Sequence, residues 1–239
     1  MNTLFIETRG NKPRLKWESI LIKRFHFELC NQKTIKAKCA CQYNLLTDLI
    51  IECRQALQSL SYEIAFHGLS AHEFNISHYL TEENEVKPIQ SFDIVLHDNK
   101  IWIGMPIIPC FDIGFARDYW IENILISRND KAEKVKNSIP LLKSIESLLR
   151  AIVYPQHELF HTYLVVDYIK KDLGKSISKI IGINNLDIKY ITRMANSVPD
   201  FRSRHAHNQI NGITEMEITE CLFRARKIIK GYCEHLELQ

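Results

Sequence analysis

The strongest constraint in this sequence is a change of hydrophobic period near residue 130. Ahead of it, apolar residues alternate with polar ones over short stretches. Beyond it, they recur every three or four residues to the end. The last stretch is the most explicit. Thr214-Glu215-Met216-Glu217 reads as a capping box, in which the threonine and Glu217 satisfy orphan backbone donors. Ile218, Cys221, Leu222, Ala225, Ile228, Ile229, Tyr232 and Leu236 then fall on one apolar face. Arg224, Arg226, Lys227 and Lys230 lie off that stripe, where they also favour the helix dipole.

Three further helices precede it. Leu141, Leu142, Ile145, Leu148, Leu149 and Ile152 make one stripe, with Ser138 and Pro140 as start signals. Leu159, Tyr163, Val166, Ile169 and Leu173 make a second, ending at Gly174. Asn185 can cap a third that carries Ile188, Ile191 and Met194, and Pro199 interrupts it or begins a fresh turn. Short connections predict an antiparallel bundle of four or five helices over residues 131–239.

The first half reads differently. Phe25, Phe27 and Leu29 alternate with polar residues, and Ile35, Ala37, Cys39 and Cys41 do so again after Asn31-Gln32-Lys33. That is a β-hairpin with both cysteines on one face. Leu46 to Ile64 shifts to a helical period, with Gly68 as its C-cap. SFDIVL and KIWIGM flank His97-Asp98-Asn99 as a second hairpin. The expected class is α+β: a small mixed domain over 1–128, a polar boundary at Ser127 to Lys131, then the all-α bundle.

Charge divides along the same line. Residues 131–239 hold 17 Lys+Arg against 12 Asp+Glu, while residues 1–130 hold 14 against 16. A basic half suits a polyanionic partner. Seven cysteines with no CxxC spacing argue against a disulfide framework or a zinc ribbon and fit a reducing compartment. The start lacks the pattern of a signal peptide, and the longest apolar stretch, Ile101 to Phe111, is broken by glycine and prolines. A cytoplasmic chain without membrane contact is expected.

Two segments can carry chemistry. His157-Glu158-Leu159-Phe160-His161 matches HExxH, whose histidines on one helical face hold zinc while the glutamate activates water. A third ligand is missing from the usual places: position 164 is Leu, position 167 is Asp, and no glutamate occurs between Glu158 and Glu215. Pro155 also stands just before the first histidine. The expectation is no metal and no cofactor, with His157, Glu158 and His161 as the alternative metal site.

The second segment, Phe201-Arg202-Ser203-Arg204-His205-Ala206-His207-Asn208, concentrates groups that bind phosphate and move protons. Arginine presents a planar, permanently charged fork to phosphate oxygens. Histidine takes and returns a proton near neutral pH. RNA supplies its own nucleophile, the 2′-hydroxyl, so these groups suffice without a metal. An arginine, a polar residue and a histidine four to six positions after the arginine resemble the signature of the HEPN-domain ribonucleases, fitted by Arg202, Ser203 and His207. Ser203 departs from the usual Asn, Asp or His there. Arg150 and His157 meet the same spacing, but Arg202 and His207 also lie in a basic cluster between two helices. LLKSIESLLR, with Glu146 in its middle, is similar to a first helix of that family's bundle.

The resemblance covers residues 131–239. It implies a HEPN-like bundle, metal-independent endoribonuclease activity leaving a 2′,3′-cyclic phosphate, and a toxin or antiviral abortive-infection setting. It implies Arg202 and His207 as catalytic residues, with Arg204, His205, Asn208 and Glu146 binding phosphate or supporting the site. It further implies RNA as partner, a homodimer with two facing motifs, and a possible antitoxin or defence partner. In a continuous helix, residues five apart point about 140° away from each other. Arg202 and His207 therefore act together only if the helix ends between them, as Asn211 and Gly212 allow, or if a second subunit closes the site. Arg204 shares a helical face with His207 and is the reserve phosphate ligand, while His205 can orient the site. The alternative function is a catalytically inactive HEPN-like dimerisation module. Residues 1–128 would serve as sensor, partner dock or RNA-positioning module.

Overall fold

The computed structural model describes residues 2–10, 19–31, 33–89, 94–97, 100–103, 111–154, 157–197 and 213–239. The class is α+β, and the chain divides into two compact units, 1–111 and 112–239.

The first unit is a six-stranded antiparallel sheet and one long helix. The strands are β1 (Thr3–Gly10), β2 (Ser19–Ile22), β3 (Phe25–Asn31), β4 (Thr34–Cys39), β5 (His72–Leu80) and β6 (Val86–Pro88), in the order β2-β3-β4-β1-β5-β6. The expected first hairpin is β3 and β4, paired from Phe25↔Cys39 to Asn31↔Thr34. The helix α1 (Leu46–Gly68) lies on the sheet face formed by Leu4, Ile6, Phe25, Phe27, Ile35, Ala37, Phe74 and Ile76, and contributes Leu49, Cys53, Leu57 and Leu60 to that core. A separate ribbon, β7 (Ile94–His97) and β8 (Lys100–Ile103), pairs antiparallel as the second hairpin.

Two local expectations fail here for tertiary reasons. Cys39 is buried but Cys41 is exposed, because the ladder ends at Cys39 and the chain leaves the sheet before the alternation repeats. Gly68 is the last helical residue, and Leu69 takes the left-handed cap at φ 52°, ψ 41°. Leu69 is buried, so side-chain burial offsets a backbone cost of about 1–2 kcal/mol.

The second unit is helical. Its elements are α2 (Ile113–Trp120), a wider turn over 121–125, α3 (Ala132–Lys136), α4 (Ile139–Val153), α5 (Glu158–Leu173), α6 (Ile177–Ile180), α7 (Asn185–Asn196) and α8 (Glu215–Leu238). The caps follow the local signals closely. The Ser138 hydroxyl accepts from the Leu141 amide at 3.4 Å, Gly174 ends α5, and Thr214 and Glu217 form the reciprocal capping box. Asn184 rather than Asn185 caps α7, accepting from the Leu186 amide at 2.9 Å. The expected stripe of α8 is buried from Cys221 through Leu236 and packs against α4, α5 and α7.

The sequence places the domain boundary at Ser127 to Lys131, whereas residues 112–128 lie within the helical unit. The physical reason is long-range. Trp120 is fully buried, and Glu237 near the end of α8 accepts from the Ser127 amide at 2.7 Å, the Ser127 hydroxyl at 2.6 Å and the Arg128 amide at 3.0 Å. Burial opposes ionisation of Glu237, but those three donors and the Arg128 charge outweigh it and hold the carboxyl below its usual range. Among the described residues no helix is long and apolar enough to cross a membrane.

Two stability tests follow from this packing. A Cβ on Gly231 of α8 would stand 2.9 Å from the Ile181 carbonyl oxygen and 3.0 Å from Ile183 Cδ1. Gly231→Ala should therefore destabilise the helical unit by about 1–3 kcal/mol in thermal unfolding, against the gain of about 1 kcal/mol that helix propensity alone would give. In the first unit, His72 is buried between the Thr8 and Ser70 hydroxyls, each 3.2 Å from a ring nitrogen, and burial lowers its pKa to about 4. The folded state thus resists a proton that the unfolded chain accepts near pH 6.5. This contribution is complete above pH 6.5 and is lost as the pH falls toward 4. Urea unfolding of the first unit should show a loss of about 1–2 kcal/mol between pH 7 and pH 5 that His72→Gln removes.

Candidate functional site at one end of the helical unit

The α4–α5 hairpin and the facing ends of α7 and α8 gather reactive side chains at one end of the second unit. The hairpin is closed by a run of backbone bonds: Tyr154 N–H to Arg150 C=O at 2.9 Å, His157 N–H to Tyr154 C=O at 3.0 Å, and His161 N–H to His157 C=O at 3.0 Å. Arg150 thus occupies the last turn of α4, His157 the entrance of α5, and His161 the next turn. The two imidazoles meet edge to face, 6.4 Å between centroids. His161 Nδ1 is buried and has no hydrogen-bond partner among the described residues. Burial, then the charges of Arg150 and His157, hold the His161 pKa below its ordinary value. Arg150 itself is exposed and makes no ion pair with any described residue.

Between the two histidines, Leu159 is buried with Met194 of α7 and Cys221 of α8, and Tyr190, Ile213 and Ile218 pack around them. Ser197 caps α7 and Ile213 precedes the cap of α8. The described chain therefore ends and resumes beside the first turn of α5. Arg202, Ser203, Arg204, His205, His207 and Asn208 belong to the stretch 198–212, outside the described residues.

Glu146 stands one turn before Arg150 on α4. Its carboxylate accepts from Arg117 Nη1 of α2 at 2.6 Å, and Arg117 also holds Asp118 at 2.8 Å. What the structure shows for Glu146 is a tie between α2 and α4. A second ionic cluster joins α7 to α8. The largely buried Asp187 accepts from Arg224 Nη1 and Lys227 Nζ, each at 2.9 Å; Arg224 Nε reaches Glu220 at 2.7 Å, and its guanidinium lies 4.3 Å from the Tyr190 ring centre. Asp187 has no local sequence signal, because its partners lie on another helix.

The HExxH segment lies at the very start of α5. His157 is the N-cap residue, at φ −128° and ψ 16°, so the helix starts at Glu158. Among the described residues no group of three or more His, Cys, Asp or Glu side chains is placed to hold a metal ion. The chain matches no family model, no curated protein and no solved structure.

The Arg117–Glu146 pair is testable as a structural tie. Both side chains are about a third exposed, so a double-mutant cycle of Arg117→Met and Glu146→Gln should give a coupling of about 0.5–1 kcal/mol in urea unfolding. A coupling of zero would leave Glu146 free for another role.

Proposed function

We propose that this chain is a metal-independent endoribonuclease of HEPN type, acting in the cytoplasm in a toxin or antiviral abortive-infection setting. The helical unit is read as a HEPN-like bundle, paired with a second copy as a homodimer. Arg202 and His207 carry the chemistry. His207 serves as acid and base: the 2′-hydroxyl loses its proton, O2′ bonds to the adjacent phosphorus, and the bond from phosphorus to O5′ breaks as that oxygen is protonated. The products are a 2′,3′-cyclic phosphate and a 5′-hydroxyl. Arg202 stabilises the charge that gathers on the phosphoryl oxygens in the transition state. Arg204, His205 and Asn208 are assigned to phosphate binding or support. The first unit serves as a sensor, RNA-positioning module or dock for an antitoxin or defence partner.

The observation that supports this reading is the placement of the two chain ends that flank the motif. Met194, in the last turn of α7, and Ile213, just ahead of α8, both pack on Leu159 at the end of the unit where Arg150, His157 and His161 converge. A phosphodiester there would meet the cationic side chain of Arg150 beside two imidazoles.

The deciding experiment is cleavage of mixed-sequence RNA by purified protein in EDTA. Cleavage should persist in EDTA, yield cyclic-phosphate ends, and fall by at least about 100-fold in both Arg202→Ala and His207→Ala. Activity abolished by EDTA and restored by zinc would favour the hydrolase alternative at His157, Glu158 and His161. Absence of cleavage with an intact dimer would favour the non-catalytic dimerisation module.

A further inference from the structure

Three of the described arginines of the helical unit, Arg117, Arg150 and Arg224, have contrasting surroundings. Arg117 is held by Glu146 and Asp118, and Arg224 by Asp187 and Glu220, all at 2.6–2.9 Å. These guanidinium groups are occupied in joining helices. Arg150 differs, being exposed at the end of α4 with no ion pair among the described residues.

Its neighbours across the hairpin are equally suggestive. His161 carries a buried ring nitrogen with no hydrogen-bond partner among the described residues, and the charges that perturb it are those of Arg150 and His157. Leaving a buried polar atom unsatisfied costs about 1–3 kcal/mol, and crowding basic groups adds to the cost. An arrangement of this kind is relieved by an anion. Glu158, at the start of α5, is the carboxylate in the same turn, and its side chain is half-buried rather than projecting fully into solvent. Arginine offers a bidentate fork to tetrahedral oxyanions, and imidazole N–H groups donate to the remaining oxygens.

We propose that Arg150, His157 and His161 form a phosphate-binding subsite that grips the RNA backbone at this end of the helical unit. The choice of RNA as the source of the phosphate rests on the ribonuclease reading above; the anion site itself rests on the hairpin geometry. Arg150 supplies the charge, exposed His157 a donor at the rim, and half-buried His161 the donor that fixes orientation. None of the three is assigned a bond-making step.

The test uses the full chain and a fluorescent 2′-O-methyl oligoribonucleotide, which lacks the nucleophile and so reports binding without cleavage. Arg150→Gln should weaken binding about tenfold and lower the slope of log K against log salt by about one. His157→Asn and His161→Gln should each weaken it several-fold. Melting temperature should stay unchanged in Arg150→Gln, because the side chain is exposed. An oligomer with an uncharged methylphosphonate backbone should erase the difference between wild type and Arg150→Gln. Wild-type affinity and salt slope in Arg150→Gln would overturn the subsite, as would a difference that survives the uncharged backbone. The two readings fail separately. RNA cleavage with Arg150-independent binding rejects the subsite alone. Arg150-dependent binding of the 2′-O-methyl oligomer by a protein that cleaves no RNA keeps the subsite and rejects the ribonuclease.

Discussion

The helical unit depends on burying one face of α8. That helix runs 24 residues, and its buried positions from Cys221 to Leu236 meet α4, α5 and α7 in turn. Each fully buried aliphatic or aromatic side chain contributes roughly 1.5–3 kcal/mol, whereas an exposed ion pair contributes about 0–1 kcal/mol. Packing therefore holds the helices together, and the polar ties decide how they sit. Gly231 sets how closely α8 approaches the Ile181–Ile183 turn, since a single Cβ would meet the Ile181 carbonyl. Glu237 fixes the far end by capping the Ser127 and Arg128 amides, and Asp187 fixes α7 through Arg224 and Lys227. An ionised Glu237 in that position is stable because three donors converge on it, so its contribution is present above the usual carboxylate pKa and fades in acid.

What was legible in the sequence was what is decided locally. Ser138 before Pro140, Gly174 after Leu173, and the box at Thr214 and Glu217 all mark helix ends, because the groups that satisfy the end lie within a turn of it. The β3–β4 hairpin was legible for the same reason, its register following from alternation across a short break. The central strand β1 was not. Its partners are β4 and β5, distant in sequence, and no adjoining turn announces them. Leu69 shows the limit of local rules most clearly. A glycine stood ready for the left-handed position, yet the chain places a leucine there because its side chain is needed in the core. The boundary differed similarly: residues 112–128 carry Trp120 and the amides that Glu237 caps, and neither link has a local mark.

The candidate site shows the same division. HELFH and FRSRHAHN read as rivals when each is judged by its own spacing. In the folded unit, Leu159 inside the first segment shares a core cluster with Met194 and Ile213, which stand near either end of the stretch that holds the second. A helical hairpin brings Arg150 back beside His161, and the return of α7 and α8 brings Met194 and Ile213 onto Leu159. Spacing within a motif carries no information about such closure.

Partner saturation separates Arg117 and Arg224 from Arg150, and it is a sharper criterion than charge density. Lys+Arg counts mark the half as basic, but Arg117 and Arg224 are already neutralised by two carboxylates each. Their desolvation is compensated within the fold, so an incoming phosphate would have to displace an existing acid to use them. Arg150 requires no such displacement, and the buried nitrogen of His161 lies beside it without a partner among the described residues. A polyanion approaching this unit gains most where the fixed positive charge has no internal counter-ion. The basic character visible in the sequence is therefore spread over many residues, and only some of it is already neutralised within the fold.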